Sequence, residues 1–325
     1  MTRLLSALAL SIGLATVAAA QAPVEIKAHT ALVHAVAFSP DGKFLATAGF
    51  DKTAKLFEHT NGQLKEIRTL TGHTDPVYCV AFSPDGKILA TASLDKTIRL
   101  WNPADGKQAR EIKGHTDVVD AIAFSPDGKL LASGSGPADK TVRLWNPADG
   151  KEVKNFGAAA GANSKSTEGH AGTVYSLAFS PDGKLLASAS QDKLIKVWDV
   201  PGQKLLKELK GHEDGVTGVT FAGDNNTLVS VSQDRTVRVW DVGGGKETKK
   251  LGPTPDDLFA VCWAKGTKAL ATAGYAGNLS VWTLAEPKPA FAVRIKSPTY
   301  CVTFAPDGKS LVSGHDNGTV QYVKR

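Results

Sequence analysis

The sequence predicts an all-β chain made of seven repeated units that pack side by side. A pattern of about 42 residues recurs from residue 22 onward, and its clearest copy opens at Gly72-His73 and closes at Trp101. Repeats of this length are supersecondary units that bury their apolar faces only by stacking on their neighbours. A Phe-Ser-Pro-Asp-Gly segment marks four of the copies, at 38–42, 82–86, 124–128 and 179–183. Related segments mark the other three, at 221–224, 263–266 and 304–308.

Each copy contains four short predicted strands, which the second copy shows most clearly. An apolar run at 77–82 ends in a Pro-Asp-Gly segment that favours a tight turn. The β-branched and aromatic residues of 88–93 and 97–101 suit a buried pleated surface. The more polar segment 108–113 is predicted to lie outermost. No segment has sustained helical periodicity.

These motifs resemble those of the WD-repeat family over essentially the whole sequence after residue 20. In that family a His, a Ser or Thr, an Asp and a Trp form a hydrogen-bonded group within each repeat. The resemblance implies a seven-bladed β-propeller of four-stranded antiparallel blades. It assigns this structural role to His29, Thr47 and Asp51; His73, Thr91, Asp95 and Trp101; His115, Ser133, Asp139 and Trp145; His170, Ser188, Asp192 and Trp198; and His212, Ser230, Asp234 and Trp240.

Three copies depart from the family pattern. Phe57 replaces the Trp of the first copy. The sixth copy has Ala276 at the Asp position and no His, and the seventh has Asn317 in place of the Asp. His34, His59 and His315 fall outside the repeated group.

The repeated His, Ser or Thr, and Asp combination has the composition of a hydrolytic triad, but its recurrence favours a structural role. An enzyme needs one triad, whereas the same residue types occur here in at least four copies. A buried Asp needs a hydrogen-bonding partner, which the His supplies. We therefore predict no enzymatic activity, no catalytic residue, no metal site and no cofactor.

Residues 22–28 are predicted to complete the last unit of the ring. The seventh copy contains three predicted strands, and 23–27 resembles the outer-strand segment 206–210. Pairing there would close the ring and remove the exposed strand edge that an open array leaves.

Residues 1–20 have the pattern of a secretory signal peptide. A short positive head at Arg3 precedes an apolar stretch, and Ala18-Ala19-Ala20 suits cleavage. We predict a propeller domain at 21–325, exported to the periplasm or to the outside of a bacterial cell, with no membrane insertion. Its three cysteines are predicted to be buried free thiols. Cys262 and Cys301 lie in adjacent copies and are the only pair to consider for a disulfide.

The charge pattern does not favour nucleic-acid binding. The net charge is +6, but lysines recur after each Pro-Asp-Gly turn and so spread around the ring. A nucleic-acid-binding protein concentrates its basic residues on one face. We expect a monomer that binds a protein or peptide.

The resemblance also marks a ligand-facing rim where the innermost strands begin. Its seven positions differ in character, and residues near the structural Asp add to them. The predicted rim residues are His34, Tyr78, Asp120, Tyr175, Thr217, Phe259, Tyr300, Phe50, Tyr275 and Asp316, with Leu94, Gln191, Gln233 and Asp257 beside them.

Clustered aromatic and acidic residues are typical of binding interfaces and favour a protein- or peptide-binding scaffold. They could equally plug the channel mouth. The alternatives are a small-ligand or glycan receptor and a propeller hydrolase or lyase, whose acid–base candidates would be His34, Asp120 and Asp316. Two insertions in the third copy, within 133–139 and at 157–167, border this rim and are either tolerated surface loops or a partial lid.

Overall fold

The computed structural model describes residues 24–157, 168–264 and 266–324, and these residues form strands and turns without a helix. In chain order the first strands are β1 (Val24–Lys27), β2 (Val33–Phe38), β3 (Phe44–Gly49), β4 (Ala54–Thr60), β5 (Gln63–Leu70), β6 (Val77–Phe82), β7 (Leu89–Ser93), β8 (Ile98–Trp101) and β9 (Gln108–Ile112). They are followed by β10 (Val119–Phe124), β11 (Leu131–Ser135), β12 (Val142–Trp145), β13 (Glu152–Asn155), β14 (Val174–Phe179), β15 (Leu185–Ser190), β16 (Ile195–Asp199), β17 (Lys204–Leu209), β18 (Val216–Phe221) and β19 (Thr227–Ser232). The last are β20 (Val237–Asp241), β21 (Lys246–Leu251), β22 (Leu258–Trp263), β23 (Ala269–Gly274), β24 (Asn278–Thr283), β25 (Phe291–Arg294), β26 (Thr299–Phe304), β27 (Ser310–His315) and β28 (Thr319–Lys324).

The strands form seven four-stranded antiparallel sheets arranged in a ring, which confirms the predicted seven-bladed β-propeller. Six blades use four consecutive strands, such as β6-β7-β8-β9. The innermost strands β2, β6, β10, β14, β18, β22 and β26 contact one another around the central channel. In the second blade the predicted strand bounds agree with the observed ones to within one residue.

The Ser-Pro-Asp-Gly turns between the first two strands of a blade hold themselves together. In the first blade, Asp41 accepts hydrogen bonds from Ser39 Oγ at 2.7 Å and from the Lys43 backbone N–H at 3.1 Å. Gly42 has a φ of 72°, a conformation that favours glycine. The same bonds recur in the next three blades, so blades one to four present nearly identical turns on that face.

The hydrophobic core is a series of clusters, each shared by two neighbouring blades. Between the first and second blades, Leu56 and Leu70 pack with Val77, Leu89 and Trp101. Because each blade buries its faces against its neighbours, none would be stable alone.

The ring closes as predicted, by pairing between the two ends of the described chain. Strand β1 pairs antiparallel with β28, with Ile26 opposite Val320. Ile26 also packs against the cluster that joins the first and seventh blades, in which Phe57 and Tyr322 are buried. The last blade therefore has the order β1-β28-β27-β26. Residues 22 and 23 of the predicted strand lie outside the described ranges.

The repeated polar group has the same geometry in blades one to five. In the second blade, His73 Nδ1 lies 2.8 Å from Asp95 Oδ2, and His73 Nε2 lies 2.7 Å from Thr91 Oγ1. The Trp101 indole N–H donates to the same Thr91 oxygen at 2.9 Å. Equivalent contacts join the other residues to which the resemblance assigns this role, except that Phe57 supplies no indole in the first blade.

In the sixth and seventh blades, different residues occupy the place that the His and Asp of the repeated group have in the other blades. In the sixth, Asp256 accepts hydrogen bonds from the Ala276 backbone N–H and from the Asn278 side chain. In the seventh, fully buried His315 places Nε2 3.0 Å from Ser313 Oγ. His315 lies on β27, yet it contacts the hydroxyl that the His of the regular blades contacts. It is therefore part of the core and not a scattered residue.

The three cysteines are free thiols in the structure, as predicted. Cys301 is buried and Cys262 is partly buried, and the two form no disulfide although their blades are neighbours. Burial raises the pKa of the Cys301 thiol to about 12, so it is protonated at neutral pH.

Candidate functional site at the channel mouth

A break in strand pairing turns one side chain of every innermost strand toward the channel mouth. In β6 the register with β7 shifts between Val77 and Cys79, which leaves Tyr78 as the extra residue of a β-bulge. Bulges re-aim side chains at functional sites. The same shift occurs at the predicted rim position of all seven blades, namely His34, Tyr78, Asp120, Tyr175, Thr217, Phe259 and Tyr300. Each rim residue is the second residue of its innermost strand, and the first residue of that strand is buried.

These seven side chains line one cavity of about 210 Å³, and Gln233 completes its wall. Phe50 contacts His34 and Tyr78 from the first blade, with ring centroids 5.5 and 4.9 Å away. Tyr275 lies outside the cavity wall and is 56% exposed. Asp316, Leu94 and Gln191 are exposed on the same face.

The aromatic rings form a continuous contact series along one side of the mouth. From Tyr78 the series passes through Phe50 and His34 to Tyr300. Tyr300 and Phe259 stack with centroids 5.2 Å apart and an angle of 10°, and Phe259 meets Tyr275 edge-on. The series thus covers blades two, one, seven and six, and gives that side a rigid apolar surface.

The other side of the mouth, on blades three to five, is more polar, and Asp120 is its main charged group. Neither Asp120 oxygen receives a hydrogen bond in the described structure, and Oδ2 is enclosed by protein. Burial, reinforced by the charge of Asp117, raises the pKa of Asp120 to about 7. A raised carboxyl pKa means that the folded state binds its proton more tightly than the unfolded chain does. Asp120 therefore lowers stability progressively between about pH 4 and pH 7, and the full cost is present above pH 7.

The other two predicted acids have partners of their own. Asp257 forms an ion pair with Arg235, in which Nε lies 3.1 Å from Oδ1. Asp316 accepts a hydrogen bond from the Ser297 hydroxyl. In the described structure Asp257 therefore has a cationic partner and Asp316 has a hydroxyl partner, whereas Asp120 has neither.

Two further side chains of the wall are fixed by backbone contacts between blades. His34 Nδ1 lies 2.7 Å from the Tyr78 carbonyl oxygen, so Nδ1 carries the proton that it donates. Burial lowers the pKa of His34, which keeps the ring neutral at neutral pH. Thr217 Oγ1 donates to the Leu258 carbonyl at 2.7 Å. The wall is thus preformed and contains one acidic group and no lysine or arginine.

The opposite end of the channel is wider but less distinctive. Its cavity of about 640 Å³ is lined largely by small and apolar residues of the innermost strands, such as Val36, Ala178 and Val219. Among the described residues, no group of three His, Cys, Asp or Glu side chains is placed to hold a metal ion. The described part of the chain also has no helix long and apolar enough to cross a membrane.

The model of the WD domain, G-beta repeat, matches six ranges that together cover more than half of the sequence: 22–58, 64–102, 106–146, 161–199, 203–241 and 295–322. The chain belongs to the WD-repeat family. A WD repeat-containing protein SL1-17 from Schistosoma mansoni is 62% identical over 39 residues, which is 12% of this chain and 13% of that protein. The six matched ranges omit most of the sixth blade, where this WD-repeat chain has Asp256 and Ala276 in place of the usual residues.

Proposed function

We propose that this protein is an exported, non-catalytic scaffold that binds a protein or peptide at the channel mouth where the innermost strands begin. WD-repeat propellers are typically protein-interaction scaffolds. The observation that carries the proposal is the set of seven bulges. They direct seven side chains of different character into one cavity, while the rest of each blade repeats.

The proposal that the protein is not catalytic rests on the hydrogen bonds that its His, Ser or Thr, and Asp side chains make within the blades. The His, Ser or Thr, and Asp side chains that could form a triad are buried within the blades and bonded to one another and to indoles. The neutral His34 ring and Asp120 both line the mouth, but no hydrogen bond joins them in the described structure. Two side chains work together as an activated catalytic pair when they are within hydrogen-bond reach of each other.

Export rests on residues 1–20, which lie outside the described ranges. A secreted chain would begin at Gln21 after cleavage. The N-terminal residue of protein recovered from a periplasmic fraction measures this directly. Protein found only in the cytoplasm with Met1 retained would contradict export.

The face is tested by removing aromatic side chains from the mouth. We expect Tyr78→Ala and Phe259→Ala to weaken binding of a partner captured from a periplasmic extract by at least about tenfold, because aromatic anchors typically contribute on the order of 2 kcal/mol. Their melting temperatures should stay near that of the unchanged protein, since both rings are only partly buried.

The matched controls are Lys87→Ala and Lys129→Ala, which alter exposed turns on the opposite face. These variants should bind the partner as the unchanged protein does. Full affinity in both aromatic variants, with loss in the lysine variants, would place the site on the opposite face.

A further inference from the structure

Asp120 is a partly enclosed carboxylate that has no hydrogen-bonding or ionic partner among the residues that the structure describes. An ionised carboxylate removed from water without hydrogen bonds is costly, so such groups normally have a partner. The structural Asp residues of the other blades show this, because Asp95 accepts four hydrogen bonds. Within 24–157, 168–264 and 266–324, Asp120 accepts none, and no Lys or Arg side chain lines its cavity. These residues therefore offer the carboxylate no positive group.

The surroundings of Asp120 suit an organic cation. Tyr78 and Tyr175 line the cavity beside it, and burial, reinforced by the charge of Asp120, raises the pKa of both phenols. Phe259 and Tyr300 line the wall contributed by the sixth and seventh blades. Aromatic faces attract cations and pack against their alkyl chains, so the rings and the carboxylate favour the same ligand.

The size of the cavity limits what can enter it. Its volume of about 210 Å³ is several times the ~30 Å³ that a water molecule occupies in the liquid, but it is below the roughly 300–1,000 Å³ of drug-sized ligand sites. One extended side chain fits such a space better than a cofactor or a folded segment does.

The accessibility of the carboxylate distinguishes between the two common basic side chains. Arginine prefers to pair with both oxygens of a carboxylate through its planar fork. At Asp120 the protein encloses Oδ2, so one oxygen is left to meet a ligand. A single accessible oxygen suits the compact ammonium of lysine, which acts as a point charge.

We propose that this cavity binds a primary ammonium group, that of a lysine side chain of the partner, with the nitrogen on Asp120 and the alkyl chain between Tyr78 and Tyr175. The proposal rests on the proposed function, since it names the group that the partner inserts. No covalent step is involved.

The test uses n-butylammonium as a lysine side-chain probe, with binding to the purified protein followed by NMR shifts or calorimetry. We expect saturable binding of n-butylammonium, binding of n-butylguanidinium at least about tenfold weaker, and no binding of neutral n-butanol. Asp120→Asn should weaken n-butylammonium binding at least tenfold. Asp75→Asn, which removes a carboxylate outside the cavity that pairs with Lys52 and is 46% exposed, should leave it unchanged. Equal binding of all three probes, or full binding by Asp120→Asn, would overturn the proposal.

The pH dependence gives a second readout. A proton competes with the ammonium for Asp120, so affinity should rise about tenfold between pH 6 and pH 8, and Asp120→Asn should abolish this rise. The other groups facing Asp120 are Asp117, Tyr78, Tyr175 and Cys79. Both phenols have raised pKa values, and burial raises that of Cys79 to about 11. A pH-independent affinity would contradict pairing with Asp120.

Two peptides separate a lysine side chain from a chain terminus as the source of the ammonium. An alanine pentapeptide with a central lysine and blocked termini should bind, whereas lysine-free pentaalanine with a free N-terminus should not. The reverse result would overturn the lysine assignment. Failure of every ammonium probe, with partner binding still weakened by Tyr78→Ala, would refute this inference and leave the proposed function standing.

The melting temperature of Asp120→Asn shows whether the variant is folded. Because the unpaired carboxylate costs stability above pH 7, this variant should melt at or above the temperature of the unchanged protein at pH 8. The difference in melting temperature between Asp120→Asn and the unchanged protein should shrink toward pH 4, where the Asp120 carboxyl is protonated and as uncharged as the Asn amide. A lower melting temperature at pH 8 would show that Asp120 has a stabilising partner, which contradicts the basis of the inference.

Discussion

Deleting residues 21–28 is expected to lower the melting temperature by about 10 °C. The deletion removes strand β1, with its pairing along β28, and takes Ile26 away from the cluster that joins the first and seventh blades. Loss of the partly buried Ile26, the buried Ala28 and a few backbone hydrogen bonds amounts to roughly 5 kcal/mol, and about 2 °C per kcal/mol applies to a chain of this size.

The strand itself offers matched controls for this deletion. Ile26→Ala should reproduce part of the loss, because Ile26 packs on the closing cluster. Val24→Ala should have little effect, because Val24 is 52% exposed on the same strand. A deleted chain that melts with the unchanged protein would contradict closure through β1.

Asp95→Ala is expected to destabilise the protein by about 1–3 kcal/mol, the cost of leaving buried donors without an acceptor. Asp95 accepts hydrogen bonds from His73, from the Thr74 backbone N–H, and from both the backbone and the hydroxyl of Thr97. Chemical denaturation at neutral pH measures the loss. Asp105→Ala is the control, because exposed Asp105 accepts only one turn hydrogen bond, and it should change stability by less than about 0.5 kcal/mol.

The loss of stability caused by Asp95→Ala should also depend on pH. Burial pushes the pKa of Asp95 upward, but the hydrogen bonds from His73 and Thr97 outweigh it and hold this pKa below its ordinary value. A lowered carboxyl pKa contributes stability above about pH 4 that is lost as the pH falls further. The difference between Asp95→Ala and the unchanged protein should therefore narrow below pH 4. Unchanged stability at neutral pH would refute the structural role and revive a catalytic one.

Acid should weaken the whole propeller for the same reason. The pKa of the equivalent Asp is also lowered in the first, third, fourth and fifth blades, to about 2 for Asp192. In each of these blades burial raises the pKa of the Asp, but hydrogen bonds from the neighbouring groups lower it by more. The pH dependence measured for Asp95 in the second blade is therefore expected for the equivalent Asp of the other four blades.

The repeat explains why so much of the fold could be predicted from the sequence. A fixed spacing places equivalent residues at equivalent points of every blade, so locating one rim residue in the second blade located all seven. Ring closure was predictable because residues 22–28 match the pattern of an outer strand. The bulge at Tyr78 was not predictable, since apolar residues lie on both sides of it and the sequence pattern shows no break.

The features that the sequence did not predict depend on contacts between blades. His315 fills the core of the seventh blade from a strand position that holds Gly or Ser elsewhere, such as Gly49 and Ser93, so the repeat pattern gives it no role. Asp120, Asp257 and Asp316 look alike in the sequence. Only the packing of neighbouring residues shows that two have partners and that Asp120 has none in the part of the chain that the structure describes.

The most direct test of the binding face is site-specific photocrosslinking on the two faces of the ring. A photoreactive phenylalanine analogue replaces exposed Tyr275 beside the channel mouth in one protein and exposed Lys87 on the opposite face in another. Each is irradiated in a periplasmic extract, with the Tyr78→Ala change added as a control. We expect a discrete crosslinked adduct from position 275, lost in the control, and none from position 87. An adduct from position 87 alone would contradict a binding site at the channel mouth.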